Sequence, residues 1–416
     1  MQLLFRMGLV AGGLTYLAFL SVILAGQWLL DHPTQESLDR GIRWDPGNPA
    51  LWSAYARRWH FLPNSPESRR AVEGYHRAAF LNPMDSNTWK DLASVHIERG
   101  EREEAEAALR AELAAVPHLP QASWRLANFV LVSGRTAEAF PLLRTAANEP
   151  TLRTAVFDLA WKLEGDPEVI LRELIPATPD VRSDYLQFLL RRKRLAEAYV
   201  VWQEIAQSDT ELKVRLGNTY VEALAGAGMG TEAARLWNEI LALTGRTSLK
   251  PPGELLTNGD FEADLPNAGL GWRLTKGAGY QIALDGLASQ NGTRSLRVLF
   301  DGTTNSNFAA VWQAAPVEPN RRYRFEGHLR TDSITTDNGL FFTIASLGAP
   351  REEALSHSTA NRVETIGWVR EQLDFQTGPR TSVVVIQLRR LPSPKLNNLI
   401  QGKVWIDNLS LKLREP

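Results

Sequence analysis

The chain has 416 residues, enough for two or three domains with cores of their own, and its formal charge of -1 gives no electrostatic case for a nucleic-acid partner. Cysteine is absent, which excludes a thiolate zinc site, a disulfide framework and cysteine catalysis together. Lys and Arg are spread through both halves, and 13 Trp are distributed with a period that organises the first half.

Met7 to Leu30 is an uncharged, strongly apolar run. At about 1.5 Å per helical residue it is long enough for a hydrocarbon core of roughly 30 Å. Arg6 precedes it and Asp31, Glu36 and Asp39 follow, so the positive-inside rule predicts a cytoplasmic N-terminus. The expectation is a single-pass anchor over 1–31 in a bacterial inner membrane, with Trp28 at the interface and the bulk of the chain periplasmic. The rival is a cleaved signal peptide, whose apolar region is usually about 7–15 residues; Ala25-Gly26 makes a poor cleavage site.

Residues 35–247 read as helix with an internal period. Trp52, Trp89 and Trp124 are 37 and 35 residues apart, and each is followed by small or apolar residues at helical spacing. Pro83 and Pro117 close the second helix of their units, because proline lacks the N–H a helix needs. Arg99–Arg110 aligns with Ser133–Arg144, and Arg194–Ile205 with Gly230–Ile240. Three clear units follow, about 48–83, 85–117 and 120–150, then degenerate ones to 247, with a departure near Trp161 and Asp166-Pro167. A period near 34 with an early Trp, a small residue in the second helix and a terminal Pro resembles the tetratricopeptide repeat. That resemblance implies a helical solenoid whose groove holds a protein partner; the plainer reading is a rigid spacer. At helical spacing the Trp residues are core in either case. Gly226, Gly228 and Gly230 read as a helix-connecting turn, since no strand precedes them.

Pro251-Pro252 breaks helicity, and short alternating runs then recur at 279–284, 294–300, 307–315, 321–331, 339–346, 367–376, 382–390 and 402–413. They predict an antiparallel sandwich over 254–414. In Arg322–Arg330, Tyr323, Phe325 and Leu329 share the core face, while Arg324, Glu326, His328 and Arg330 share the other; Leu296, Val298 and Phe300 alternate likewise.

Five pieces together resemble carbohydrate-binding modules of the galactose-binding-like jelly-roll superfamily. They are LLTNGDFE (Leu255–Glu262) as an opening strand, Asn291–Val298, Val311–Arg330, Trp368 before a strand ending at Phe375, and GKVWIDNLSL (Gly402–Leu411) as the closing strand. The resemblance implies a structural calcium held by Glu262 and Asp407, with carbonyls of the 291–295 turn as further donors. Without calcium, the same carboxylates cap turns or pair with Arg. Saccharide recognition needs aromatic faces and polar groups for hydroxyls, for which Trp312, Tyr280, Gln313, Arg330, Phe341 and Gln387 are the candidates. Trp272 and Trp368 are assigned to the core.

No nucleophile elbow, H-E-x-x-H, phosphate loop or dinucleotide fingerprint is present, and the His residues form no pair at metal spacing. Glu326, Asp332 and Asp337 are the carboxylates a glycosidase would draw on, but solvated surface positions account for them. The expectation is therefore a non-enzymatic, membrane-anchored adaptor: the solenoid on a protein partner, the sandwich on a glycan, in exopolysaccharide or O-antigen assembly and export by analogy of fold. The alternative is a protein-only scaffold whose sandwich binds no sugar.

Overall fold

The computed structural model describes residues 33–61, 68–205, 209–349 and 354–414, together with scattered positions between 15 and 31. The chain divides into two compact units, Met1–Tyr185 and Leu186–Pro416.

In the first unit, α1 (Gln35–Trp44) precedes three helical hairpins: α2 (Pro49–His60) with α3 (Ser68–Leu81), α4 (Ser86–Glu98) with α5 (Arg102–Ala115), and α6 (Pro120–Val132) with α7 (Thr136–Ala146). These are the three repeat units read from the sequence. Their starts are written locally: Asn48 and Asp85 cap α2 and α4 by accepting from Ala50 N and Asn87 N, and Pro49 and Pro120 occupy first helical positions. Gly100 and Gly134, at φ of 75° and 76°, turn the chain inside the second and third hairpins.

The period is also a packing period. The Trp52 and Trp89 indoles donate to the carbonyls of Pro46 and Pro83, each six residues upstream, at 2.9 and 2.8 Å. Ser53 bonds Thr88 at 2.7 Å, and Arg57 pairs with Asp91 at 2.8 Å, both between the first helices of adjacent hairpins. Ala56, Ala71, Ala93, Ala105, Ala108 and Ala139 are buried, so the backbones approach closely where the sequence supplies small side chains. After α8 (Arg153–Leu163) the pattern breaks where expected. Asp166 caps a single turn, Pro167–Val169, which passes into a π-helical turn over Ile170–Leu174.

Arg135 and Arg110 together hold the Glu106 carboxyl down at about 2, against an ordinary 4.5. A depressed carboxylate contributes stability above its unfolded pKa and loses it as pH falls through the folded one. The melting temperature of the first unit should therefore fall between pH 4.5 and 2, and Glu106→Gln should flatten that part of the profile.

The anchor expectation needs correction. Among the described residues no helix is long and apolar enough to cross a membrane, and residues 7–14 of the apolar run lie outside the described residues. The membrane partner and the single-pass inner-membrane placement are not sustained by this finding.

Helix α9 (Pro179–Arg191) contains the boundary between the units. The second unit continues with α10 (Leu195–Ile205), α11 (Thr210–Gly226) and α12 (Gly230–Leu243), then a 3-10 turn, Thr247–Leu249. Ten strands follow: β1 (Arg273–Leu274), β2 (Tyr280–Asp285), β3 (Ser295–Asp301), β4 (Phe308–Pro316), β5 (Arg322–Ile334), β6 (Phe341–Ser346), β7 (Ser356–Ser358), β8 (Glu364–Gln376), β9 (Val383–Arg390) and β10 (Gln401–Leu413). They form two antiparallel five-stranded sheets, ordered β1-β4-β9-β6-β7 and β2-β3-β10-β5-β8. Between them lies one core built from the inward parity of each strand, including Leu296, Val298, Phe300, Phe325, Leu329, Ile386 and Ile406.

LLTNGDFE is not a strand. Asn258 and Phe261 both sit in the left-handed region, at φ of 54° and 55°, and turn the segment twice. It still lies along β10, with Leu255 N donating to Leu411 O and Leu409 N to Gly259 O.

Helices α11 and α12 pack on the sandwich inside this unit. The Trp237 indole donates to Thr257 Oγ1 at 3.0 Å, and Glu222 takes the Gly269 N–H at 2.9 Å. The glycine-rich turn between the helices abuts the start of β9: a Cβ on Gly230 would fall 2.0 Å from the Ser382 carbonyl oxygen, a contact only glycine permits.

Candidate functional site

A β-bulge between Phe308 and Val311 resets the parity of β4, so that Val311 and Ala315 face the core and Trp312 faces outward. Register then carries one row across all five strands of the first sheet. Arg273 pairs with Trp312, Trp312 with Gln387, Gln387 with Thr343 and Thr343 with Ser358. One row along, Phe341 pairs with Arg389 on the same outer face. Trp312, Gln387, Thr343, Phe341 and Arg389 are half-buried, the exposure expected of side chains standing on an open sheet face.

The helices wall one side of this face. Ala314 and Val383 point outward from the sheet yet are 5% and 0% exposed, because α12 and the turn before it cover that end. Glu222 of α11 holds Arg273 at 2.5 Å, and the Arg273 guanidinium lies 5.8 Å from the Trp312 ring centroid. Trp312 is thus oriented by a helix, through an arginine on the edge strand.

The six candidate residues separate accordingly. Trp312, Gln387 and Phe341 share the face just described. Gln313 is turned inward and fully buried; its amide accepts from Thr257 N and donates to Thr257 O, each at 2.9 Å, so both ends are occupied. Tyr280 belongs to the other sheet and packs inward, 4.9 Å from Phe308 edge-to-face. Arg330 lies on the outer face of that other sheet, its guanidinium 5.0 Å from the Trp405 ring. Of the aromatics assigned to the core, Trp272 is fully buried and Trp368 is half-exposed. Sequence reasoning missed Arg389, Thr343, Arg273 and Glu222. The parity of Val383–Arg390 would have placed Arg389 beside Gln387; nothing local to residue 222 points toward the sandwich.

Glu262 and Asp407 do meet at one turn. Glu262 accepts from Thr293 N at 2.7 Å, Arg294 N at 2.9 Å and the Thr293 hydroxyl at 2.5 Å. Asp407, fully buried, accepts from Gln290 N at 2.7 Å and Asn291 N at 3.2 Å. The turn thus offers the two carboxylates its N–H groups instead of the carbonyls expected. Burial pushes the Asp407 carboxyl up, and the neighbouring negative charge of Glu262 adds to that rise. Calcium seeks about six to eight oxygens, and among the described residues no group of three or more His, Asp or Glu is placed to hold a metal, so beyond these two carboxylates a cation would need carbonyl or water oxygens. Glu262 and Asp407 would hold it, and it would neutralise their mutual repulsion.

In the first unit, a groove of about 560 Å³ runs between α4 and α6, lined by Lys90, Ile97, Arg102, Trp124, Phe129 and Val132 among others.

No family model matches the chain. A curated relative, the tRNA(Glu)-specific nuclease WapA of Bacillus subtilis subsp. natto (strain BEST195), is 25% identical over 167 residues, 39% of this chain. The chain spans only 7% of that relative's length, and the nuclease activity is said of that protein. Among solved structures, a family 16 carbohydrate-binding module is 16% identical, covering 38% of this chain and 98% of the module, with a TM-score of 0.27. The CBM22-1 xylan-binding domain of Paenibacillus barcinonensis Xyn10C is also 16% identical, covering 40% and 98%, at 0.29. YrrB, a TPR protein described with an unusual peptide-binding site, is 14% identical, covering 51% and 94%, at 0.25. At such scores these likenesses carry no argument about ligand. The tetratricopeptide-like and carbohydrate-binding-module-like architectures stand on the helical hairpins and the sheet order themselves.

Proposed function

We propose that the chain is a non-catalytic adaptor that holds a glycan on the outer face of the β1-β4-β9-β6-β7 sheet and a protein segment in the groove of its helical hairpins. The observation that carries the first part is the gathering of Trp312, Phe341, Gln387, Thr343 and Arg389 on one half-open face. Aromatic faces pack against the apolar side of a pyranose, and the amide, hydroxyl and guanidinium serve its oxygens. Apolar Ile97 and Val132, 52% and 76% exposed beside Lys90 and Arg102, support the second part. Full-length protein run through gels containing soluble polysaccharides tests the glycan reading: one polymer class should retard it, and Trp312→Ala should abolish the retardation.

The covering of Ala314 and Val383 by helix favours a second reading, in which the face serves only to seat α11–α12. On that reading no polysaccharide retards the protein.

Calcium at Glu262 and Asp407 belongs to the same proposal, as a structural element. A ligand that binds only the folded state raises the melting temperature. Calcium should therefore raise the melt of the second unit above its value in chelator, and Asp407→Asn should remove the difference. Equal melts in calcium and chelator would leave the turn's N–H groups and the Thr293 hydroxyl as the partners of the two carboxylates.

A further inference from the structure

The glycan reading does not say which kind of sugar oxygen the guanidinium on this face receives. Two guanidinium groups stand on the outer side of the β1-β4-β9-β6-β7 sheet. Arg273 is taken by Glu222 at 2.5 Å. Arg389 is half-buried, and its guanidinium has no hydrogen-bond or ion-pair partner among the described residues. The outward positions of β4, β6, β7 and β9 near it carry Trp312, Ala345, Thr343, Ser358, Val385 and Gln387, and no carboxylate. A cation placed between aromatic and amide groups, with no acid on the same strands, is a receptor for an anion.

Resting on that reading, we propose that the saccharide bound here is acidic, a uronic-acid type of sugar whose carboxylate is received by Arg389. Register fixes the geometry. Arg389 is the direct neighbour of Phe341 on β6 and lies two residues from Gln387 on its own strand. With strands about 4.8 Å apart and roughly 3.4 Å per residue, the guanidinium stem rises within about 7 Å of both. A pyranose lying on Phe341 thus presents an equatorial carboxylate to Arg389, while Gln387 and Thr343 meet the hydroxyls of the next ring toward Trp312. Arginine suits the role because its planar fork gives two parallel N–H bonds to a carboxylate, stronger than neutral hydrogen bonds. The face is only partly open, so salt screens the contact less than it would a free surface pair.

The test compares one backbone with and without its charge: polygalacturonate and fully methyl-esterified polygalacturonate, with xylan and glucomannan as neutral polymers, all against the full-length chain in affinity gels. The expected result is retention of polygalacturonate at least about tenfold stronger than of its ester, the scale of a charge-assisted bond. Arg389→Gln should erase that preference, so that acid and ester are retained alike, and Trp312→Ala should weaken retention of both. Equal retention of acid and ester by the native chain, or a preference that survives in Arg389→Gln, overturns the acidic-sugar inference while the glycan reading stands. Retention of a neutral polymer only, with no effect of Arg389→Gln, overturns it in the same way. If none of the polymers retards the native chain, the glycan reading falls and the inference falls with it.

Discussion

Arg390→Met should cost the second unit about 3–5 kcal/mol of stability, the largest effect expected of any single substitution in the sandwich. Arg390 ends β9 with inward parity, and its side chain is fully buried. Its guanidinium donates to Asn338 O at 2.9 Å, Asn398 O at 3.2 Å, Asn305 Oδ1 at 3.3 Å and Ser306 O. Those acceptors come from three separate loops, before β4, before β6 and before β10, so one side chain ties one end of the sandwich together. Methionine fills much of the volume but takes away the one donor that Ser306 O and Asn398 O have among the described residues, each at a desolvation penalty of about 1–3 kcal/mol, while Asn338 O and Asn305 Oδ1 keep Thr336 Oγ1 and Ser393 N. Burial pushes the guanidinium pKa down from its ordinary value, and the Asp337 carboxylate opposes that shift. Urea unfolding of the full chain, followed by Trp fluorescence, reads the loss as a lower midpoint of the second transition. An unchanged midpoint would mean that the loops are held by other contacts.

Trp237→Ala should follow closely, at about 3–5 kcal/mol by the usual scale for a buried aromatic. Trp237 sits on α12, 4% exposed, bonded to Thr257 and packed so tightly on Gly269 that a Cβ there would fall 2.4 Å from its ring. The helix it belongs to reads as solenoid in the sequence but behaves as part of the sandwich unit. The substitution should therefore lower the cooperative melt of the sandwich itself. If only helical signal is lost while the strand signal melts as before, α11 and α12 are not integral to that unit.

Most of the regular structure was legible because it obeys two periods. Helical hairpins announced themselves by Trp, Ala and Pro at repeating positions, and all eight strands long enough to alternate were placed within three residues of their observed starts. Strands β1 and β7, of two and three residues, are too short to show a period. The opening segment was misread because its ladder contact with β10 is real while its backbone, turned at Asn258 and Phe261, is not extended.

The site was legible in part, for reasons of register. On β2, Tyr280 shares parity with Ile282 and Leu284, which pack on the core, so its inward direction could have been read. On β4 the bulge at Phe308–Val311 is invisible in FAAVWQAAP, and a slip of one residue exchanges the roles of Trp312 and Gln313. For Arg330 alternation gives the outward side correctly but cannot say which sheet carries it; that follows only from β5 pairing with β10. Glu222 and Arg273 meet across 51 residues, a tertiary contact with no local trace.

The most direct measurement titrates the full-length chain with whichever polysaccharide retards it, comparing Trp312→Ala and Phe341→Ala with Arg330→Gln on the opposite sheet. Binding should fall at least about tenfold in the first two, since each removes a stacking platform of a few kcal/mol in area and contact, and should be unchanged in the third. Unaltered binding in the first two, or loss confined to Arg330→Gln, would contradict the account by moving the site to the β2-β3-β10-β5-β8 sheet.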